Sequence, residues 1–433
     1  MNECYQQNLS IIARRWPELH QRLSAISPSL DTLNVLDGQD STLLINGVQL
    51  TSRHNRQAEA ELQTRQIAEE SPIIELYGTG LGDVQRELLQ RLTLTQLNVH
   101  ILSEHIFLLV IQLIDQSFWL NDPRVSLHFA ADHQELRFPH IALPADLVLV
   151  SDMNVKIKER LIAQGDIAYS NQHIQQETDV YAHRILDNQP FWSNDALVQQ
   201  LYASVPPEQQ VFVIASGPSL EQHFDYLSQR QQTEHRRPLL IAVDTALQPL
   251  LQHGIEPDYV VTLDVKISLP RLLSIPVSSR VGLVYFPLSQ TQVLEHWPGP
   301  RYIALNASQA FAELQQTLTA DSLFIHGSVI HPALDLAVKM GGKHIVLFGA
   351  DFAFANDKTH ASWQDGALGL RVNQTRDWTL NGYGEKVKTL RNLQSYLIGV
   401  ERYIRQFPTV RFYNSSKAGA QIQGTTYFPE LFP

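Results

Sequence analysis

Between residues 211 and 349 the sequence returns five times to a short apolar run: VFVIA, LLIAV, YVVTL, VGLVYF and HIVLFG. After most of them the pattern changes to turn residues or helix formers. Runs this short, rich in Val and Ile and apolar at nearly every position, predict strands buried on both faces. Helices over residues 221–232, 245–253 (closed by Gly254) and 332–340 (stopped by Gly341-Gly342) fall between them. Strands alternating with helices predict a doubly wound parallel sheet, with its ligand crevice at the carboxyl ends of the strands.

The first 150 residues hold a second, looser example. Leu9, Ile11, Ile12, Trp16, Leu19 and Leu23 recur at helical spacing, and STLLINGVQL contains an Asn46-Gly47 hairpin step. IIELY then reads as a strand, Gly78-Thr79-Gly80-Leu81-Gly82 as a turn and residues 83–92 as a helix. A second strand at 99–102 ends near Glu104, and VSLHF, ELRF and LVLVS read as further strands. Residues 154–204 are polar and helical. With 433 residues the chain is too long for one ordinary core. The expected fold is α/β, with two Rossmann-like parallel-sheet domains. Residues 1–150 form the N-terminal domain, 151–205 a helical connection and 206–386 the central catalytic domain. Residues 387–433 add a C-terminal helix (387–405) and a strand, VRFYN.

Several function classes fall away on composition. The 44 acidic residues outnumber the 33 basic ones, for a net charge of −11, and no basic stripe interrupts that field, so nucleic acid is not an expected partner. No apolar run approaches the ~20 residues of a membrane span. The opening MNECYQQNLS lacks the basic and apolar regions of a secretory signal, and the single cysteine, Cys4, rules out an intrachain disulfide or a thiolate cluster. A cytoplasmic location is the expectation.

The candidate chemistry lies at strand ends. Gly217-Pro218-Ser219-Leu220 follows VFVIA, where a glycine lets backbone approach a ligand and a following helix offers free N–H groups and its positive dipole end. Many such turns contain Gly and Pro for steric reasons alone. Asp244 follows LLIAV and is read evenly as a ligand-facing carboxylate or a helix cap. Asp264 follows YVVTL with no helix after it and leans to function. His326-Gly327-Ser328, before the helix of residues 332–340, is a second candidate anion-binding turn. Gly349-Ala350-Asp351 ends HIVLFG, and Thr359-His360 follows in a loop of small and polar residues, where an imidazole suits a general base.

A series of segments in order carries a family resemblance. VFVIASGPSL, IAVDTALQPLLQHGIEPDYVVTLD, HGSVIHPALDLAVKMGGKHIVLFGADFAF and KTHAS resemble the central domain of the motility-associated factor (Maf) flagellin glycosyltransferases. Archaeal 6-hydroxymethylpterin diphosphokinase-like proteins share that domain. Leu50-Thr51-Ser52-Arg53 with Glu59-Ala60, ELYGTGLG, GEKVKT and VRFYNSSKAGAQIQGT are similar to the flanking Maf segments. Departures are Ala215-Ser216 where the family often has Gly-Ala, Glu221 where Asp is common, and Asp351-Phe352 in place of Asp-Leu.

The resemblance implies a sialyltransferase-like central domain that moves a nonulosonic acid, of pseudaminic or legionaminic type, from a CMP-sugar to Ser or Thr of flagellin. In that scheme Gly217, Pro218 and Ser219 line the nucleotide phosphate and Gly327 and Ser328 form a second wall. Gly349 and Asp351 border the nucleotide, with Asp244 also at its site. His360 deprotonates the acceptor, and Asp264 is the reserve base. No cofactor or metal is required, the CMP-sugar being a substrate. The competing reading is a pterin diphosphokinase, with Mg²⁺ held by Asp244 and Asp264. A non-enzymatic motility accessory protein is the remaining class. The Gly78-Gly80-Gly82 loop with Glu104 imitates a dinucleotide or methyltransferase fingerprint but is read as a tight structural turn.

Overall fold

The computed structural model describes residues 3–26, 32–133, 135–174, 178–233, 237–263, 267, 269–306, 311–355, 358–362, 375 and 377–432. They form two compact units, Met1–Ile162 and Ala163–Pro433. The division falls within the Val155–Ile174 helix.

Unit 1 opens with the helices Glu3–Arg15 and Pro17–Ser24. Strands β1 (Leu33–Leu36), β2 (Thr42–Ile45) and β3 (Val48–Gln49) then form a small antiparallel sheet. Asn46 and Gly47, both at positive φ (50° and 80°), make the two-residue turn that the Asn-Gly step predicts. The main sheet is parallel, in the order β6-β5-β4-β7, from β4 (Ile73–Tyr77), β5 (Gln96–Ile101), β6 (Val125–Phe129) and β7 (His140–Ala142). Its strands alternate. Ile74, Leu76, Leu97, Val99, Val125 and Leu127 join the core cluster, whereas Glu75, Tyr77, Asn98, His100 and His128 point to the other face. On that polar face Tyr77 stacks on His100 at 4.5 Å, and His100 Nε2 meets Glu75 at 2.6 Å. Burial pushes His128 down to about 4.

Two expected strands of unit 1 are not strands. ELRF is irregular; the neighbouring strand is β7, which begins just past Pro139. LVLVS begins in the last two residues of the short helix Pro144–Val148 and continues as irregular backbone. Pro144 in the first helical turn sets φ for a helix and lacks only an N–H that has no intrahelical acceptor there.

Unit 2 is built on nine parallel strands in the order β18-β17-β14-β9-β10-β11-β12-β13-β8. The five apolar runs are β9 (Gln210–Ile214), β10 (Leu239–Val243), β11 (Tyr259–Thr262), β12 (Gly282–Tyr285) and β14 (His344–Phe348). The sheet grows one way from β9 through β13, then resumes with β14 on the opposite side of β9. The order therefore reverses between β9 and β14. Sequence reading missed β8 (Ala196–Leu197) and β13 (Arg301–Ile303), which are too short to show a pattern. The helix expected over 387–405 is Arg391–Gln406. Ahead of it, β16 (Lys386–Lys388) pairs antiparallel with β15 (Trp378–Leu380). β17 (Arg411–Asn414) and β18 (Thr426–Tyr427) finish the main sheet beside β14. The core runs through Phe212, Val213, Leu240, Ile241, Leu334, Val346 and Phe348, all fully buried. Each such Val, Leu or Phe contributes about 1.5–3 kcal/mol. Gly399 lets the Arg391–Gln406 helix come close to the Ile330–Lys339 helix: a Cβ there would sit 2.5 Å from His331 Nε2.

Candidate functional site

At the reversal point of unit 2, over the carboxyl ends of β9, β10 and β14, lies a cavity of about 540 Å³. Ala215–Pro218 and Gly349–Phe354 form its floor. Asp244 and Thr245 form one side, Gly327–Ile330 another. Thr359 and His360 close over it, and Asn392 and Tyr396 reach it from the Arg391–Gln406 helix.

The glycines are fixed by packing. The Gly217 N–H donates to Gly349 O at 2.8 Å, and a Cβ on Gly217 would collide with that carbonyl and with Asp351. Gly349 itself sits at φ +60°, with no room for a side chain beside the Ala215 carbonyl. Gly327, at φ +86°, lies under the Tyr396 ring.

Asp351 is buried and accepts the Ser219 N–H on Oδ2 at 2.7 Å. Burial pushes its carboxyl up to about 6, against the pull of hydrogen bonds from Ser219. Ala420 N–H donates to the Asp351 carbonyl at 2.7 Å, tying the C-terminal segment to this corner. Asp244 is the first residue of the Asp244–Gln252 helix. Its Oδ1 accepts the Thr245 N–H at 2.7 Å and its Oδ2 the Thr262 hydroxyl at 2.9 Å. The N-cap position belongs to Val243, which corrects the cap reading of Asp244; at the first helical residue its carboxylate complements the helix dipole instead.

His360 sits in a fastened loop. Glu221 accepts the Ser362 N–H on Oε1 (2.9 Å) and the Lys358 ammonium on Oε2 (2.7 Å), so one carboxylate clips the chain two residues before and two residues after His360. Ser216 O accepts the Ala361 N–H at 2.9 Å, and the Ser216 hydroxyl meets that of Thr245 at 2.8 Å. Burial opposes ionisation of Glu221, yet its bonds to Lys358 and Ser362 bring it below the ordinary carboxylate value.

Eight of the ten site residues proposed from sequence line this one cavity: Gly217, Pro218, Asp244, Gly327, Ser328, Gly349, Asp351 and His360. Ser219 does not. Its side chain is fully buried, so the hydroxyl expected to meet a phosphate does not face the cavity, and its N–H is held by Asp351. Asp264 lies outside the described residues. Sequence reading missed Ser216, Thr245, Glu221, Asn392 and Tyr396. Of these, Ser216 and Glu221 stood among the family departures, and Tyr396 lay unmarked in an amphipathic helix. Among the described lining residues there is no Lys or Arg. Among the described residues no group of three or more His, Cys, Asp or Glu is arranged to hold a metal ion.

In unit 1 the glycine loop turns inward. Gly78, Gly80 and Gly82 lie at φ +103°, +49° and +93°, and the Thr79 and Gly80 N–H groups point to Asp146 Oδ1 at 2.7 and 3.4 Å. Burial pushes Asp146 up to about 6. Glu104, the would-be ribose acid, is buried and accepts a hydrogen bond from Asn154 at 2.8 Å. The donors and the acid of a dinucleotide fingerprint are thus engaged within the protein.

Residues 183–357 match the family model described as 6-hydroxymethylpterin diphosphokinase MptE-like. The match takes in β9 to β14 and the cavity's floor, and spans less than half of the chain. No curated protein matches the chain. Among solved structures it is similar to the Maf glycosyltransferase from Magnetospirillum magneticum AMB-1. The two share 15% identity with a TM-score of 0.46, over 98% of this chain and 74% of that one. Within the matched segment the floor of the cavity is complete, whereas Asn392 and Tyr396 come from beyond it. No helix among the described residues is long and apolar enough to cross a membrane.

Proposed function

We propose that the chain is a glycosyltransferase whose unit 2 takes a CMP-activated nonulosonic acid and passes the sugar to a Ser or Thr hydroxyl of flagellin. The support is one observation: His360 and two glycine turns share a cavity that lacks Lys and Arg among its described lining residues. Such a lining suits a donor with a single phosphate, held by neutral groups, better than a polyphosphate. Ser328, just ahead of the ten-residue Ile330–Lys339 helix, and the Thr245 hydroxyl are the donors for that phosphate. The acceptor oxygen bonds to the anomeric carbon as the bond to the CMP oxygen breaks. The hydroxyl proton passes to His360, and CMP leaves with the electron pair.

The match to the diphosphokinase-like family model raises a second reading, a Mg²⁺-dependent pterin diphosphokinase. Against it, both carboxylate oxygens of Asp244 accept hydrogen bonds from the protein. Titration with CMP, CDP, UDP and ATP, with and without Mg²⁺, separates the classes. The transferase requires CMP to bind without a divalent ion. Tight ATP binding with Mg²⁺ and none of CMP gives the kinase. Binding of no nucleotide leaves a non-enzymatic role in motility.

A further inference from the structure

Two side chains of the unit 2 cavity have no task in the reaction proposed above. Asn392 and Tyr396 stand four residues apart on the Arg391–Gln406 helix, and so share one helix face. Both line the cavity. Asn392 is exposed and Tyr396 half-buried, so a molecule in the cavity reaches both. Neither side chain makes a hydrogen bond among the described residues. Asn392 is the sole carboxamide, and Tyr396 the sole tyrosine, among the described lining residues.

This wall is fixed against the turn that precedes the Ile330–Lys339 helix. The Tyr396 ring lies on Gly327, where a Cβ would sit 2.8 Å from Tyr396 Cε1. His331, fully buried, bridges the two elements. Its Nδ1 accepts the Ser328 N–H at 3.3 Å and its Nε2 donates to Tyr396 O at 3.0 Å. Burial pushes this imidazole down to about 4, so it stays neutral, with one nitrogen to accept and one to donate. The Ser328 turn, where the donor's phosphate is placed above, is thereby held beside the Tyr396 ring. A nucleobase suits such a wall. Its flat face stacks on an aromatic ring, and its edge carries a donor and an acceptor side by side, which a carboxamide matches in one plane. The transferred sugar has to lie at His360, where the acceptor loses its proton. That leaves the wall beside Ser328 for the nucleoside end of the donor.

We propose that Asn392 and Tyr396 are the nucleobase reader of unit 2, Asn392 bonding the edge of the base and Tyr396 stacking on its face. The assignment rests on the transferase reading for the placement of the phosphate, and the test separates the two. The full chain and the variants Asn392→Ala and Tyr396→Ala are titrated by calorimetry with CMP and with ribose 5-phosphate, which keeps the sugar and the phosphate but lacks the base. Each variant weakens CMP about tenfold, the equivalent of one polar contact or one stacked ring. Ribose 5-phosphate binds all three proteins alike, or none of them. Asn392 is exposed in the first turn of its helix, so Asn392→Ala decides the matter even where Tyr396→Ala disturbs the packing on Gly327. Wild-type CMP affinity in Asn392→Ala overturns the proposal, and so does a loss equal for CMP and ribose 5-phosphate. Should the wild type bind ATP with Mg²⁺ and not CMP, the transferase reading falls. The same variants, titrated with ATP, then still decide the reader. Binding of no nucleotide removes both.

Discussion

A carboxyl group such as that of Asp351 titrates near 3.8 when free, and burial moves it to about 6 in the folded chain. A raised acid stabilises the fold below the unfolded value, where both states hold the proton. That stability is lost as pH rises through about 6, because the folded state must then charge a buried group. Asp351→Asn keeps an acceptor for the Ser219 N–H and removes the titration. Its urea-melting stability is expected to be flatter between about pH 4 and 6 than that of the wild type, by about 2–3 kcal/mol across the window. Asp146, raised in the same way, goes on titrating in unit 1, so the change is confined to the transition of unit 2. His360→Ala tests different chemistry at the same scale. It is expected to leave CMP affinity intact and to lower transfer by about 10²–10⁴-fold, the usual contribution of a positioned base. Wild-type transfer at saturating donor and acceptor would remove His360 from that role.

One step up, the 358–362 loop behaves as an element because Glu221 holds it at both ends. Glu221→Ala is expected to release the Ala361 and Ser362 amides to fast hydrogen exchange while the β9 amides stay protected, a result that holds whatever the reaction. If both loop amides exchange at the wild-type rate, the clip is not what orders the loop. This device also marks the limit of sequence reading. Five strands of unit 2 were legible because a strand buried on both faces must be apolar throughout, and the glycine turns were legible because glycine adopts positive φ at little cost. Glu221 was visible only as a substitution, since nothing local says that its carboxylate reaches residues 137 and 141 positions away. Ser219 misled for the opposite reason. A serine in a turn looks like a donor to a ligand, but the buried carboxylate that claims its N–H comes from a strand more than 120 residues later. ELRF and LVLVS failed on local grounds: the alternation of Leu136 and Phe138 in one and the apolar run in the other outweighed the prolines that set the backbone nearby.

At the scale of the molecule, two units with separate cores predict two melting transitions. CMP at about 100 times its dissociation constant is expected to raise only the transition of unit 2, by about 2.7 kcal/mol, when followed by calorimetry. A shift of both transitions, or of that of unit 1 alone, would put the nucleotide elsewhere. The sheet order of unit 2 has a consequence for biosynthesis. β14 lies between β9 and β17, and the Asp351 corner is tied to Ala420, so the floor of the cavity is hydrogen-bonded to residues translated some 70 positions after it. While the ribosome is still making that stretch, β14 has one open edge and the 391–406 helix, which supplies Asn392 and Tyr396, has only just emerged or is still in the exit tunnel. Unit 1 contains all of its own strands by residue 142 and can fold far earlier in synthesis. The nascent chain therefore carries a finished first unit and a half-zippered second one for much of its time on the ribosome. During that interval the exposed edge of β14 is the surface a chaperone would have to cover.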